Sequence, residues 1–190
     1  MGYAIAEAAL AAGHRVTLIS GPATVAPPDG AQLVAITTSE ELHDEIHRAI
    51  PDCDVLVMCA AVADYKPVAV EPRKMRKRKT SFALELIPTR DILASLPKEN
   101  RNYLVVGFAA ETHDLETRAR EKLRQKNCDM IVANDVSAID SGMESDNNAV
   151  TIFFRNGESR TISRRSKKII ARELVKIISK ESEKCLTKKP

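Results

Sequence analysis

The chain has 190 residues, enough for one domain with a sizeable core, and its 44% hydrophobic and 29% charged residues are those of an ordinary globular protein. Aromatics are only 4% and Trp is absent, which argues against an RNA-stacking platform, and no apolar run approaches the ~18 residues of a membrane span. The net charge of +3 conceals a local excess: residues 71–80 hold Arg73, Lys74, Arg76, Lys77, Arg78 and Lys79 against Glu71 alone, so the rest of the chain is mildly acidic.

Met1–Ala12 carries Ala and Leu at helical spacing, shows no basic-then-apolar leader pattern, and is stopped by Gly13. Arg15–Ser20 reads as a buried strand, Gly21–Gly30 with its prolines and glycines as a loop, and Leu33–Ile36 as a short strand. Thr37, Thr38 or Ser39 then caps a helix that runs to about Ala49, with Glu40 and Glu41 in its first turn. Asp54–Cys59, Tyr103–Phe108 and Asp129–Val132 are further buried strands; Ile92–Leu96 is a short helix and Leu115–Lys126 a longer one. Ser81–Ile87 is β-prone, a flap strand suited to pairing across a dimer. Val150–Phe154 and Arg160–Ser163 flank a turn and predict a hairpin. Lys167–Ser179 places Ile169, Ile170, Leu174, Ile177 and Ile178 on one helical face, and Glu181–Pro190 reads as a charged, disordered tail. Cys53, Cys59, Cys128 and Cys185 lack CxxC spacing, as expected of reduced thiols in a cytoplasmic protein rather than a disulfide frame or a zinc site.

Strand–helix alternation through residue 133 predicts an α/β fold: a Rossmann-like, mostly parallel sheet with helices on both faces, plus a C-terminal β-hairpin and a lysine-rich flap. Ligands of such folds gather at the carboxyl ends of the strands, here the loops at 20–30, 60–68, 108–114 and 133–148. A doubly wound domain normally opens with a strand and a phosphate-binding turn, whereas this chain opens inside the helix that follows. The expected organisation is therefore a domain over residues 1–180 without its first strand, and a tail over 181–190.

Ala60-Ala61-Val62-Ala63-Asp64-Tyr65 follows a strand, and Lys74-Met75-Arg76-Lys77 lies in the basic loop. Further along come Gly107-Phe108-Ala109-Ala110-Glu111-Thr112, Ala133-Asn134-Asp135-Val136 and Ser145-Asp146-Asn147-Asn148. With the opening GYAIAEAALAAGHRVTLISGP, these collinear motifs resemble the phosphopantothenoylcysteine synthetase domain, from Gly2 to about Lys180. In many bacteria that domain is the carboxyl-terminal half of a bifunctional coenzyme A biosynthesis flavoprotein. The resemblance implies ligation of 4'-phosphopantothenate to L-cysteine through an acyl-cytidylate formed from CTP, with Mg2+ accompanying the nucleotide. It implies a homodimer; a cytoplasmic protein with no nucleic-acid or membrane partner is expected, and no flavin, the flavin-binding half found upstream in fused members being absent from this sequence.

Carboxylate attack on an α-phosphate builds negative charge, and needs positioning and cations more than a base. The resemblance assigns Lys74 to the triphosphate or the acyl-cytidylate, against a merely solvated charge. Arg76 stands where the family usually has Lys, and presents its donors differently. Asp64 either caps a turn or, as the resemblance implies, contacts the nucleotide. Phe108 is either core or a surface against the base. Lys122 and Lys126, at i and i+4, share a helix face that is either simply solvated or nucleotide-binding. Arg90, Asp91, Ile92 and Leu93 correspond to a nucleotide-binding turn usually written Asn-Pro-Asp-Ile; Thr89 and Arg90 replace its first two residues, and Thr89 or Asp91 caps it. Ala61, Ala63, Ala110, Asn134 and Asp135 are the implied substrate residues, Asn and Asp being also common turn formers.

The family also carries, ahead of the helix that opens this chain, a strand, a glycine/serine-rich loop and an Asn that helps convert the acyl-cytidylate. Loss of one oxyanion donor costs ~100- to 1000-fold in rate, so weak turnover is expected of the 190 residues alone. The competing reading, an NAD(P)-dependent oxidoreductase of the short-chain type, lacks both G-x-G-x-x-G and Tyr-x-x-x-Lys. A nucleic-acid module using Arg73–Lys79 lacks interleaved aromatics.

Overall fold

Apolar residues four apart give the opening helix one face to bury, and the continuous apolar runs of the central strands give the sheet two, so helical layers close over both sides. The computed structural model describes the chain except residues 72, 78–80, 100, 112, 136–146 and 188–190. In chain order the elements are α1 (Gly2–Ala11), β1 (Thr17–Ser20), β2 (Gln32–Ala35), α2 (Ser39–Ala49), β3 (Val55–Met58), β4 (Tyr65–Pro67) and β5 (Leu86–Pro88). There follow β6 (Leu104–Glu111), α3 (Leu115–Gln125), β7 (Met130–Asp135), β8 (Asn147–Phe154), β9 (Ser159–Ser166) and α4 (Lys167–Thr187).

The main sheet has the order β3-β6-β7-β8-β9. β3, β6 and β7 run parallel, with Val57 beside Val106 and Gly107 beside Ile131; the β8–β9 hairpin joins antiparallel. β1 and β2 form a separate parallel pair, with Ile19 beside Val34. One apolar layer holds Ile5 and Ala8 of α1, Val106 and Val132 of the sheet, and Ile170 and Leu174 of α4. The other holds Leu42 and Ile46 of α2, Leu123 of α3, and Val105 and Ile131 on the opposite sheet face. The expected α/β architecture with helices on both faces is thus the observed one.

Gly107 is required by close approach: a Cβ there would lie 2.7 Å from Ile131 Cδ1 and 3.2 Å from Cys128 Sγ. Asn127 turns the chain out of α3 with φ of 49°, a left-handed conformation that Asn tolerates.

Three expectations change. Ile92–Leu96 is a single turn rather than a helix, closed by the Ser95 N–H donating to the Asp91 carbonyl at 3.0 Å. Of the flap strand expected over Ser81–Ile87 only Leu86–Pro88 forms, and it pairs within the chain against β4, because Tyr65–Pro67 already offers an antiparallel edge. The tail expected to be disordered from Glu181 instead continues α4 to Thr187. Glu, Lys and Leu are good helix formers, Lys184 pairs with Glu181 at 2.6 Å, and Ser182 is buried. Arg78, Lys79, Thr112, Val136, Ser145 and Asp146 of the sequence motifs lie outside the described residues.

Candidate functional site

The apolar run of β3 ends at the carboxyl edge of the sheet, and the chain emerges there as the exposed loop Ala60–Asp64, in which Ala61, Ala63 and Asp64 all reach solvent. That loop is tied to the strand returning from the basic arm. The Thr89 hydroxyl donates to the Ala63 carbonyl at 2.5 Å, and the Thr89 N–H to the Asp64 carbonyl at 2.9 Å. The next residues turn towards α3. Asp91 caps this turn, accepting from the Ala94 N–H at 3.1 Å, and its second oxygen pairs with the Lys126 ammonium. Partial burial pushes the Asp91 carboxyl up, but Lys126, the Ala94 N–H and the charge of Lys122 outweigh it and hold it below the usual carboxylate range. Ile92 and Leu93 are buried in the core beneath, so only their backbone faces a ligand here, while Arg90 is exposed.

Asp64, Arg90, Asp91, Lys122 and Lys126 therefore form one continuous track from the β3 edge to the end of α3. Phe108 lies elsewhere. Along β6, Val105 and Ala109 face α2 and α3, whereas Phe108 packs on the α1–α4 layer with Val106 and Val132. Ala110, exposed, pairs with Asn134 of β7. The Asn134 Oδ1 is buried and accepts no hydrogen bond among the described residues. For Asp135 the backbone is described, as the last residue of β7 beside Glu111. Lys74 sits, exposed, in the arm between β4 and β5.

The pairings that hold the arm's base were not foreseen from the sequence. Lys66 on β4 pairs with Glu40 in the first turn of α2. Lys66 lowers the Glu40 carboxyl. Thr38 and Glu41 form a reciprocal capping box at the same helix start, which the Thr-x-x-Glu spacing does announce. The box occupies the Thr38 and Glu41 amides, and Glu40 and Glu41 place two acids in the first turn, which disfavours an anion at this helix start. A cavity of about 290 Å³ opens beside it, lined by Ile19, Ile36, Leu42, Val62, Lys66 and Thr89 among others.

The remaining chemistry narrows the reaction class. Burial pushes the Cys59 thiol up to about 12 and the Cys128 thiol up to about 11, so neither is a thiolate nucleophile near neutral pH. No cluster of three or more His, Cys, Asp or Glu residues with metal-binding geometry occurs among the described residues, nor any helix long and apolar enough to cross a membrane. What the track offers is the exposed Arg90, the half-buried Lys122 and Lys126, the exposed carboxylates of Asp64 and Asp91, and main-chain donors, the equipment for holding a phosphorylated ligand.

Comparison with known proteins agrees with this arrangement. Residues 1–181 match the model of the DNA/pantothenate metabolism flavoprotein C-terminal domain. The chain is 42% identical over 175 residues to the coenzyme A biosynthesis bifunctional protein CoaBC of Bacillus subtilis (strain 168), covering 92% of this chain and 43% of that protein. It is 38% identical over 178 residues to the CoaBC of Vibrio vulnificus (strain CMCP6), covering 92% and 44%. The chain thus spans less than half the length of these relatives. A crystal structure of the C-terminal domain of a CoaBC protein superposes with a TM-score of 0.80 at 36% identity, covering 96% of this chain and 82% of the other. On the extent of the match and the fold it shares, the chain belongs to the family of the DNA/pantothenate metabolism flavoprotein C-terminal domain.

Proposed function

We propose that this domain ligates 4'-phosphopantothenate to L-cysteine, using CTP to activate the carboxylate as an acyl-cytidylate, in coenzyme A biosynthesis. The observation that carries the proposal is the track from Asp64 through Arg90 and Asp91 to Lys122 and Lys126, at the sheet edge where α/β folds bind ligands. Kinship to CoaBC proteins supports the substrate pair.

In this reading the nucleotide lies along the track. Lys122 meets its charge, Lys126 does so in competition with Asp91, and the backbone of Arg90–Leu93 orients it over the buried side chains of Ile92 and Leu93. Lys74 supplies a further cation from the arm as pyrophosphate departs. Ala61, Ala63, Ala110, Asn134 and Asp135 lie where phosphopantothenate would approach. The amine of cysteine then attacks the acyl carbon, and CMP leaves. Magnesium fits as an ion carried by the triphosphate, because Asp64 offers a single exposed carboxylate and not a cage. Bound there, it would neutralise phosphate oxygens. Phe108 lies across the sheet from Lys122 and Lys126, so its contact with the nucleotide requires the ligand to pass over the carboxyl edge.

A homodimer in the cytoplasm completes the proposal. Apolar side chains exposed at the arm and its base, Tyr65, Val68, Val70, Leu84 and Leu86 among them, support the pairing of two copies. The test is radiolabelled CTP with phosphopantothenate, with and without cysteine. Pyrophosphate release that requires phosphopantothenate, and CMP release that also requires cysteine, are expected. Binding of NADPH without binding of CTP would refute the proposal.

A further inference from the structure

The track leaves two histidines of α2 unused. His43 and His47 stand four residues apart, so they share one face of the helix, and their ring centres are 4.4 Å apart. Their platform is fixed. The Thr38–Glu41 box closes the start of α2, and the buried Leu42 and Ile46 hold the helix on the core. Both histidines are themselves half-buried.

Hydrogen bonds decide which ring nitrogens carry protons. His43 Nδ1 lies 2.9 Å from Asp44 Oδ1, and a carboxylate only accepts, so the proton is on Nδ1. The lone pair of His43 is then on Nε2. His47 Nε2 lies 2.9 Å from Ser95 Oγ. The one proton of that hydroxyl goes to the Ile92 carbonyl at 2.6 Å, so the imidazole donates to Ser95 and its lone pair is on Nδ1. Among the described residues no donor meets either lone pair. Each ring therefore has the arrangement of a metal-bound histidine, one nitrogen donating to an outer acceptor and the other bare. The spacing agrees. Metal–nitrogen bonds of about 2.1 Å put each ring centre roughly 3.2 Å from an ion, so two rings on one ion stand about 4.5–5 Å apart.

We infer that His43 Nε2 and His47 Nδ1 chelate one divalent transition-metal ion of the kind that imidazole selects, zinc or copper(II), with water completing its shell. Two side chains make a chelate and not a cage, so the ion exchanges freely with solution. Asp44 and Ser95 are its outer partners. The Ser95 N–H is in turn held by the Asp91 carbonyl at 3.0 Å, so a bound ion braces α2 against the turn that Asp91 caps. Magnesium, a hard ion, takes oxygen donors and does not compete here. The inference rests on α2 and Ser95 alone and is independent of the ligation reading.

Titration of the chelator-stripped full chain with Zn2+, followed by proton–nitrogen NMR correlation of the imidazole rings, tests it. One Zn2+ per chain should shift His43 Nε2 and His47 Nδ1 as the metal-bound nitrogens, and leave the rings of His14 and His113 unmoved. Ser95→Ala removes only an outer partner and should weaken Zn2+ binding by about tenfold. His43→Gln and His47→Gln should each weaken it by more than that, and His14→Gln should not, with each variant shown folded by circular dichroism. Coordination through His47 Nε2, which breaks the bond to Ser95, would overturn the inference. So would preferential binding at His14 or His113, unchanged affinity after either α2 substitution, displacement by excess Mg2+, or no shift at millimolar Zn2+.

Discussion

Removing the carboxylate of Asp129 tests what holds β6, β7 and β8 in register. Asp129 precedes β7 at the edge opposite the candidate site. Its Oδ2 accepts from the Val105 N–H at 2.8 Å and pairs with Arg101, and its Oδ1 lies 3.5 Å from Arg155 Nε. Arg101 also donates to the Asn127 carbonyl at 2.6 Å, and Arg155 to the Cys128 carbonyl at 3.2 Å. The Arg101 side chain is only 9% exposed and that of Asp129 19%, whereas Arg155 is 50% exposed. Breaking a buried pair from one side costs about 3–5 kcal/mol, because the remaining charge loses its partner. The half-exposed Arg155 adds little to this. Asp129→Ala should therefore destabilise the chain by about 3 kcal/mol, the lower end, since water reaches Asp129 in part. At about 2–4 °C per kcal/mol for a domain of this size, the melting temperature falls by roughly 6–12 °C. Asp129→Asn keeps an acceptor for the Val105 N–H and should fall less. Thermal unfolding by circular dichroism measures both, with CTP binding per folded molecule unchanged. A shift below about 2 °C, under one kcal/mol on that scale, would refute the reasoning.

Gly107→Ala drives a methyl group against Ile131 and Cys128 and should cost about 1–3 kcal/mol, read as a lower urea midpoint at unchanged slope. The His43 and His47 rings lie 4.4 Å apart on α2, and His47 reaches Ser95 Oγ at 2.9 Å. Desolvation, and then the charge of His43, lower the His47 pKa from 6.5, with Asp44 opposing. The folded chain thus binds this proton less readily than the unfolded one. The contribution is complete above about pH 6.5 and is lost as the pH falls through the lowered folded value. His47→Gln should flatten that part of the stability–pH curve, and an unchanged slope would count against it. Lys126→Met removes a half-exposed pair with Asp91, so stability should move by less than about 1 kcal/mol. CTP affinity, measured by equilibrium dialysis, should fall by about tenfold or more if the ammonium meets a phosphate.

Strands β1, β3, β6 and β7 were legible because each is built on a short apolar run bounded by polar or turn-forming residues, whereas β4, Tyr65–Pro67, carries no such run and was not foreseen. Their ends were less so: β6 runs on to Glu111 and β7 to Asp135 by pairing with each other, a gain no local pattern announces. The helix α4 outran its apolar stripe for a related reason. Its last turns rest on propensity and on the Glu181–Lys184 pair, features that in isolation look like a solvated tail. At the candidate site, residue types were readable and partnerships were not. Thr89 with Ala63, Lys66 with Glu40 and Lys126 with Asp91 join positions 26 to 35 apart in the chain.

Those partnerships alter the electrostatic argument that a run of cations suggests. Lys126 is already neutralised by Asp91, and Lys66 by Glu40, so two basic residues near the β3 edge contribute little net field to an arriving triphosphate. Either an incoming phosphate competes with Asp91 for Lys126, or its charge is met by Lys122 and the arm. Competition with a carboxylate that accepts from the Ala94 N–H as well as from Lys126 costs more than capture by a solvated ammonium. Among the described residues, Arg90, Lys122 and the arm's Arg73, Lys74, Arg76 and Lys77 enter no such ion pair, and the base of the arm is fixed to the site by Thr89 and Lys66. An activation step that must neutralise departing pyrophosphate would then depend on the arm for charge and on the paired residues for position.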